Sequence, residues 1–177
     1  AMTIITSINM LVTMPLQGFT QGGQPIMSYN YGAGNADRVK KAFFVQFSVC
    51  VGYAAIFWGI CMLMPNVLAG IFTTDAALAE YATWAIRIYM AGIFSVGFQL
   101  ACQQSFMALG QAAISLVMAF LRKLILLIPL IFILPNFFTD KVFGVFLAEP
   151  VSDIIAAAIT TIVFFTQFKR IMAKAQQ

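Results

Sequence analysis

The sequence of 177 residues contains no histidine, and its 10 basic and 6 acidic residues make up only 9% of the chain. The absence of histidine removes the commonest general base and the commonest metal ligand of proteins. A typical soluble domain has about a quarter of its residues charged, so this chain lacks the polar surface that a water-soluble globule needs. Its solvent must therefore be largely lipid.

Cysteine is also scarce. Cys50, Cys61 and Cys102 each lie within an apolar run, and no two of them have the CxxC spacing of a redox or metal site. We interpret them as small packing residues. The sequence has neither an HExxH motif nor a recognisable pair of nucleophile and base. We therefore expect no enzymatic activity, no cofactor and no metal site.

The chain does have long apolar runs: 62% of its residues are hydrophobic and its mean hydropathy is +0.92. The runs exceed the roughly ten-residue alternating segments of a membrane β-barrel and match the roughly 20 residues that a transmembrane helix requires. The predicted fold is an all-α integral membrane protein with five transmembrane helices, over residues 2–32, 39–64, 76–109, 112–134 and 142–168.

Positive charge distinguishes the two sides of the membrane. Basic residues follow the first and the fifth predicted spans, at Arg38, Lys40, Lys41, Lys169, Arg170 and Lys174. Because loops rich in Lys and Arg stay in the cytoplasm, we expect the first corner and a basic tail at 169–177 to lie on that side of the inner (plasma) membrane. An odd number of spans then leaves residue 1 outside, which we expect for a piece of a longer chain.

The first corner, within QPIMSYNYGAGNADRVKKAF at 24–43, has the residues that end one helix and begin another. Gly32 or Gly34 suits the left-handed conformation that terminates a helix. Asn35 is expected to cap the next helix, with Asp37 in its first turn complementing the helix dipole. The cations that follow are expected to lie at the level of anionic lipid headgroups.

A stripe of glutamines precedes this corner. Gln17, Gln21 and Gln24 are spaced i, i+4 and i+7, on one helical face between two prolines. Hydrocarbon penalises unpaired amides, so this face should point at protein or at a wet cavity. Two interpretations stay open: hydrogen bonds that join helices, or the polar wall of a transport path. Further candidates for such a path are Asn30, Gln99 and Gln103.

Charged residues also occur at membrane depth, where they are costly and usually functional. Arg122 and Lys123 lie within the fourth predicted span, and Glu149 and Asp153 within the fifth. In an antiparallel hairpin that turns at 135–141, Asp153 shares the depth of Arg122 or Lys123, so we predict an ion pair there. Glu149 would have no cation at its depth, which suits a proton carrier.

The role of these four charges has two interpretations. The paired charges lock the hairpin of the fourth and fifth spans, or they line the interior of the bundle and take part in proton or cation coupling. Pro150 is expected to start or kink the fifth helix, in which case Glu149 would satisfy backbone amides at the helix start.

The motif GxxQGxxPIxxYNYGAGNxxRVKKA at 18–42 closely resembles the multidrug and toxic compound extrusion (MATE) family of transporters, as do LRKLILLIPLIFILP at 121–135 and GVFLAEPVSD at 144–153. Members of that family have twelve helices in two lobes of six. The resemblance implies that these five helices match helices eight to twelve, most of one lobe. It also implies that the N-terminal lobe and the seventh helix are partners that this sequence does not contain.

The resemblance further implies a secondary antiporter that exports amphipathic, cationic drugs by alternating access, coupled to H⁺ or Na⁺, with lipid but not nucleic acid as a further partner. This half alone is not expected to transport. Some members carry a buried acidic residue on the helix that residues 81–109 would form, but this stretch has no Asp or Glu. Alternatives are a flippase of lipid-linked saccharides from the same superfamily and a non-transporting interaction subunit.

Overall fold

A computed structural model describes residues 2–175. Within this range the chain forms eight α-helices: α1 (Met2–Gly32), α2 (Ala36–Leu63), α3 (Pro65–Phe72), α4 (Ala76–Tyr89), α5 (Ile93–Ala108), α6 (Ala112–Phe120), α7 (Ile128–Ile133) and α8 (Lys141–Ala175). A 3₁₀ turn at Met90–Gly92 joins α4 to α5, and a π-helical segment at Leu121–Leu127 joins α6 to α7. A second 3₁₀ turn, Leu134–Asn136, follows α7.

Five helical stretches of the described residues are long and apolar enough to cross a membrane: α1, α2, the joined α4 and α5, the joined α6 and α7, and α8. The predicted fold class, an all-α bundle with five transmembrane helices, is confirmed. Helix α8 continues beyond residue 168 to Ala175, so the first part of the predicted tail is helical. Residues 176 and 177 of that tail lie outside the described residues.

Helix α5 is the centre of the bundle and packs against α1, α2, α6 and α8. The third span, which contains α5, is accordingly the most buried of the five, and the fourth is the least. Glycine permits the closest of these contacts. A Cβ atom added at Gly97 would lie 2.6 Å from the carbonyl oxygen of Cys50, and one added at Gly92 would lie 2.7 Å from the Cα of Pro150.

Two corners at the same end of the bundle share one backbone geometry. Gly34 and Gly110 have φ angles of 73° and 74°. At each corner the next residue's N–H reaches back five residues, from Asn35 to the Asn30 carbonyl and from Gln111 to the Phe106 carbonyl. This is the Schellman ending that a left-handed glycine makes possible, and it was predicted for the first corner.

The expectation that the Asn35 side chain caps α2 is wrong, because this side chain makes no capping hydrogen bond. Its backbone, with φ −82° and ψ 65°, departs from the extended conformation of a capping residue. Aspartates cap the helices at the opposite end of the bundle instead. The Asp75 carboxylate accepts from the Ala77 N–H at 2.9 Å, and that of Asp140 accepts from the Val142 N–H at 2.9 Å.

The buried residues form two apolar clusters, one towards each end of the bundle. The cluster nearer the glycine corners is rich in aromatic rings, with centroids 4.5 Å apart for Phe43 and Phe164 and 4.9 Å apart for Phe106 and Phe164. The three cysteines are buried and unbridged, as expected of packing residues. The aromatic cluster joins α2, α5 and α8 at the end of the bundle that holds the two glycine corners.

The contact at Gly97 gives a stability prediction. Gly97→Ala places a methyl group against the Cys50 carbonyl and the Ala54 methyl, so we expect the free energy of unfolding to fall by about 1–3 kcal/mol, as in other overpacked cores. Gly52→Ala is the matched control, because a Cβ there meets nothing within 4 Å. Thermal unfolding of the purified protein in detergent measures both, and equal melting temperatures would contradict the close packing.

Candidate functional site

Four charged side chains meet between the fourth and fifth spans. The Arg122 Nε donates to the Asp153 Oδ1 at 2.6 Å, which is the predicted pair. The Ser152 hydroxyl donates to the Arg122 carbonyl at 3.0 Å. Helix α8 therefore holds both the side chain and the backbone of Arg122.

Glu149 differs from its prediction. Its Oε1 accepts from the Lys123 Nζ at 3.0 Å and lies 4.0 Å from the Arg122 Nη2. The expectation that Glu149 lacks a cation was wrong, because Lys123 lies only four residues, or about 6 Å, from the level of Glu149, and a lysine side chain spans that distance. The π-helical segment at 121–127 widens the turn that carries both cations and changes the directions of their side chains.

Pro150 does not start the fifth helix, because α8 begins well before it, at Lys141, and the alternative expectation of a kink stays a prediction. Pro150 lies inside the helix, where it has no N–H to donate to the carbonyl one turn earlier. Its Cα approaches Gly92 in the 3₁₀ turn of the third span. Glu149 consequently has no helix start to cap and is available to the cations.

The four charges sum to zero but differ in exposure. The side chains of Asp153 and Glu149 are 9% and 12% exposed, whereas that of Lys123 is 56% exposed. Lys123 is about 16 Å from one end of its span and about 20 Å from the other at 1.5 Å per residue, beyond the reach of a lysine side chain. A half-exposed ammonium at this depth requires water or polar groups. This face of the bundle therefore suits water or polar protein groups better than lipid.

The glutamine stripe has two parts. The Gln24 Nε2 donates to the Gln104 Oε1 at 2.5 Å, which joins α1 to α5. The hydroxyl of Ser28, one turn further, donates to the Ala108 carbonyl at 2.7 Å. Gln17 and Gln21 are exposed and extend the same face beyond this contact. The part of the stripe near the corner thus joins helices, and the part further along α1 is open.

The remaining predicted path residues do not join this stripe. The Gln103 Nε2 donates to the Ser115 carbonyl on α6 at 3.5 Å, and the Ser115 hydroxyl returns a bond to the Gln103 carbonyl. Gln99, one turn earlier, is 1% exposed, and its amide has no partner among the described residues. Asn30 lines a separate groove between α1 and α2. Of the predicted set, Gln17, Gln21 and Gln24 share one face.

Sequence reasoning did not identify several polar residues of these contacts, among them Gln104, Gln46 and Ser152. Gln46 is 3% exposed, and its Nε2 lies 3.3 Å from the Ser105 hydroxyl of α5. Each of these contacts joins helices that are distant in sequence. The sequence shows that a polar residue lies at membrane depth, but it does not show which residue is its partner.

Comparison with known proteins agrees with this architecture. The MatE family model matches residues 1–133. The multidrug export protein MepA of Staphylococcus aureus is 29% identical over 150 residues, which are 81% of this chain and 32% of that protein. MepA of Staphylococcus saprophyticus is 27% identical over 163 residues, 91% of this chain and 35% of that protein. The chain spans about a third of the length of these curated relatives.

Solved structures give the same result. The MATE multidrug transporter DinF-BH, solved in complex with a ligand, matches 90% of this chain with a TM-score of 0.80 and 31% identity, over 35% of its own length. A MATE transporter in the bent conformation matches 99% of this chain with a TM-score of 0.90 and 16% identity, over 39% of its own length. Since the family model covers 133 of the 177 residues, this multi-pass membrane chain belongs to the MatE family of multidrug efflux transporters.

Proposed function

We propose that this chain is most of one lobe of a secondary exporter that expels amphipathic, cationic drugs in exchange for H⁺ or Na⁺. The observation that carries the proposal is the cluster of four charges inside two apolar spans. A structural lock alone needs only the buried Arg122–Asp153 pair. The second pair is half open at Lys123, and this opening gives ions access to Glu149.

Coupling follows from competition for one carboxylate. A proton or a sodium ion that reaches Glu149 competes with the Lys123 ammonium for the same oxygen, Oε1. Release of Lys123 weakens one link between the fourth and fifth spans, while the 2.6 Å bond of Arg122 to Asp153 keeps them joined. The hairpin of the fourth and fifth spans therefore has one ion pair that can open, Lys123–Glu149, beside one that stays closed, Arg122–Asp153.

Alternating access requires that a lobe moves as a unit against its partner. This chain matches an inward-facing MATE transporter with a TM-score of 0.84 at 17% identity and an outward-facing one with 0.86 at 18%. These nearly equal fold matches support a half-bundle that keeps its packing in both states. We propose the N-terminal lobe and the seventh helix as the partners against which it moves.

The open polar face of α1 is the proposed wall of the drug path. Gln17 and Gln21 are exposed there, and amide side chains next to apolar surface suit amphipathic drugs. The DinF-BH transporter was solved with a bound ligand, which supports a ligand path in this chain as well. The basic first corner and the basic end of α8 support a cytoplasmic C-terminus in the inner membrane.

The flippase alternative has less support. A lipid-linked saccharide carries phosphates, which require cations free to bind them. The two cations at membrane depth, Arg122 and Lys123, both contact carboxylates within the described residues. An interaction subunit without transport would need a partner that covers the exposed Gln17 and Gln21, and the efflux assay of Gln21→Ala separates that role from a drug path.

Glu149→Gln tests the coupling. We expect drug efflux from cells that produce the full-length gene product to fall at least about tenfold, or roughly 1.4 kcal/mol in the barrier. The melting temperature should stay near that of the unaltered protein, since Arg122 keeps its bond to Asp153. Glu80→Gln is the control, because Glu80 is an exposed carboxylate on α4. Normal efflux by the Glu149 variant at matched membrane levels would show that the four charges only hold the fourth and fifth spans together.

Asp153→Asn tests the Arg122–Asp153 ion pair separately. Loss of one partner of a buried ion pair costs about 3–5 kcal/mol, so we expect a lower melting temperature as well as reduced efflux. Thermal unfolding in detergent measures this difference from Glu149→Gln. Equal melting temperatures for the two variants would show that the two links do not differ as proposed.

The two parts of the glutamine stripe predict opposite effects. Gln24→Ala removes the hydrogen bond to Gln104 and should lower the free energy of unfolding by about 0.5–1.5 kcal/mol. Gln21→Ala removes an exposed amide and should leave stability unchanged while altering the relative efflux of different drugs. Efflux assays and melting temperatures of both variants test this. An unchanged drug profile for Gln21→Ala would exclude the exposed part from the path.

A further inference from the structure

A groove of about 630 Å³ runs between α1 and α2 from their connecting corner towards the middle of the membrane. It is apolar along most of its length, with exposed side chains of Phe19, Ile26 and Val45. Glycines on α1 keep it open, because a Cβ atom added at Gly18 or Gly22 would meet nothing within 4 Å. The groove therefore has the width and the lining to hold a hydrocarbon chain.

Cations line the corner end of the groove. Arg38 and Lys41 are exposed there, one turn apart at the start of α2. Neither of these two cations forms an ion pair within the described residues. The neighbouring Lys40 does not line the groove and pairs with Asp37 at 3.6 Å. The positive end of the α2 dipole lies at the same place. This end suits an anion and disfavours a cationic drug.

A buried amide side chain lies at the same end. Asn30 lines the groove and is 9% exposed. Its Nδ2 donates to the Ile26 carbonyl at 2.8 Å, but its Oδ1 has no donor among the described residues. This oxygen is inaccessible from the groove, so the exposed cations Arg38 and Lys41 are the groups that can recognise a ligand there.

We propose that this groove binds an anionic phospholipid such as phosphatidylglycerol. The phosphate contacts Arg38 and Lys41, and one acyl chain lies along the glycines of α1. Basic pockets between transmembrane helices are known to bind anionic lipid headgroups. The site is separate from the proposed drug path and does not depend on it.

The test is lipid binding by the full-length protein in mild detergent, followed by native mass spectrometry. The probes are phosphatidylglycerol, phosphatidylcholine with the same acyl chains, and free glycerol phosphate. The unaltered protein should bind phosphatidylglycerol at least about tenfold more tightly than phosphatidylcholine. Arg38→Gln with Lys41→Gln should abolish that preference. Lys169→Gln with Arg170→Gln removes one lysine and one arginine from the end of α8 and should preserve it.

Gly22→Leu tests the apolar part of the groove. Because the added side chain meets open space, the fold should persist while phosphatidylglycerol binding weakens about tenfold or more. Gly52→Leu, also in open space on α2 but away from the groove, should bind normally.

Four results would overturn the proposal. Equal weakening by the two charge-removing pairs would indicate unspecific attraction. Displacement of the lipid by millimolar glycerol phosphate would indicate a site for the free anion. Normal binding by Gly22→Leu would exclude the groove. Photo-crosslinking from position 19 to another segment of the protein would show that protein covers it.

Discussion

The cost of leaving a charge or an amide unpaired in hydrocarbon governs the arrangement of this bundle. Arg122 is bound through both its side chain and its carbonyl by α8. Gln24 and Gln46 reach across to α5 from two different helices. Polar residues at membrane depth thereby act as cross-links that fix which helices are neighbours, and the four charges do so with no net charge.

Close packing is the second requirement, because lipid gives apolar helix faces little reason to prefer each other. Glycine meets it where a span passes another backbone: Gly97 against Cys50, Gly92 against Pro150 and Gly144 against Pro135. Two of these three contacts involve α8. The 3₁₀ turn of the third span brings Gly92 to α8 within one turn of Glu149, so packing and the charge cluster support each other.

Much of this architecture was predictable from local patterns. The spans follow from runs of apolar residues, and the Schellman corner at Gly34 follows from glycine itself. The Arg122–Asp153 pair follows from counting residues along an antiparallel hairpin. The contact of Glu149 with Lys123 does not, because the long lysine side chain bridges a difference in depth that residue counting treats as a mismatch. The Gln24–Gln104 bond was also unpredictable, since it depends on the register of two helices separated by 80 positions.

The π-helical segment at 121–127 interrupts the regular α-helical hydrogen bonding of the fourth span. A π turn holds about one residue more than an α turn. One extra residue corresponds to about 100° of helix rotation. The residues after 127 therefore face a different direction from the one that a regular α-helix through Arg122 and Lys123 would give them.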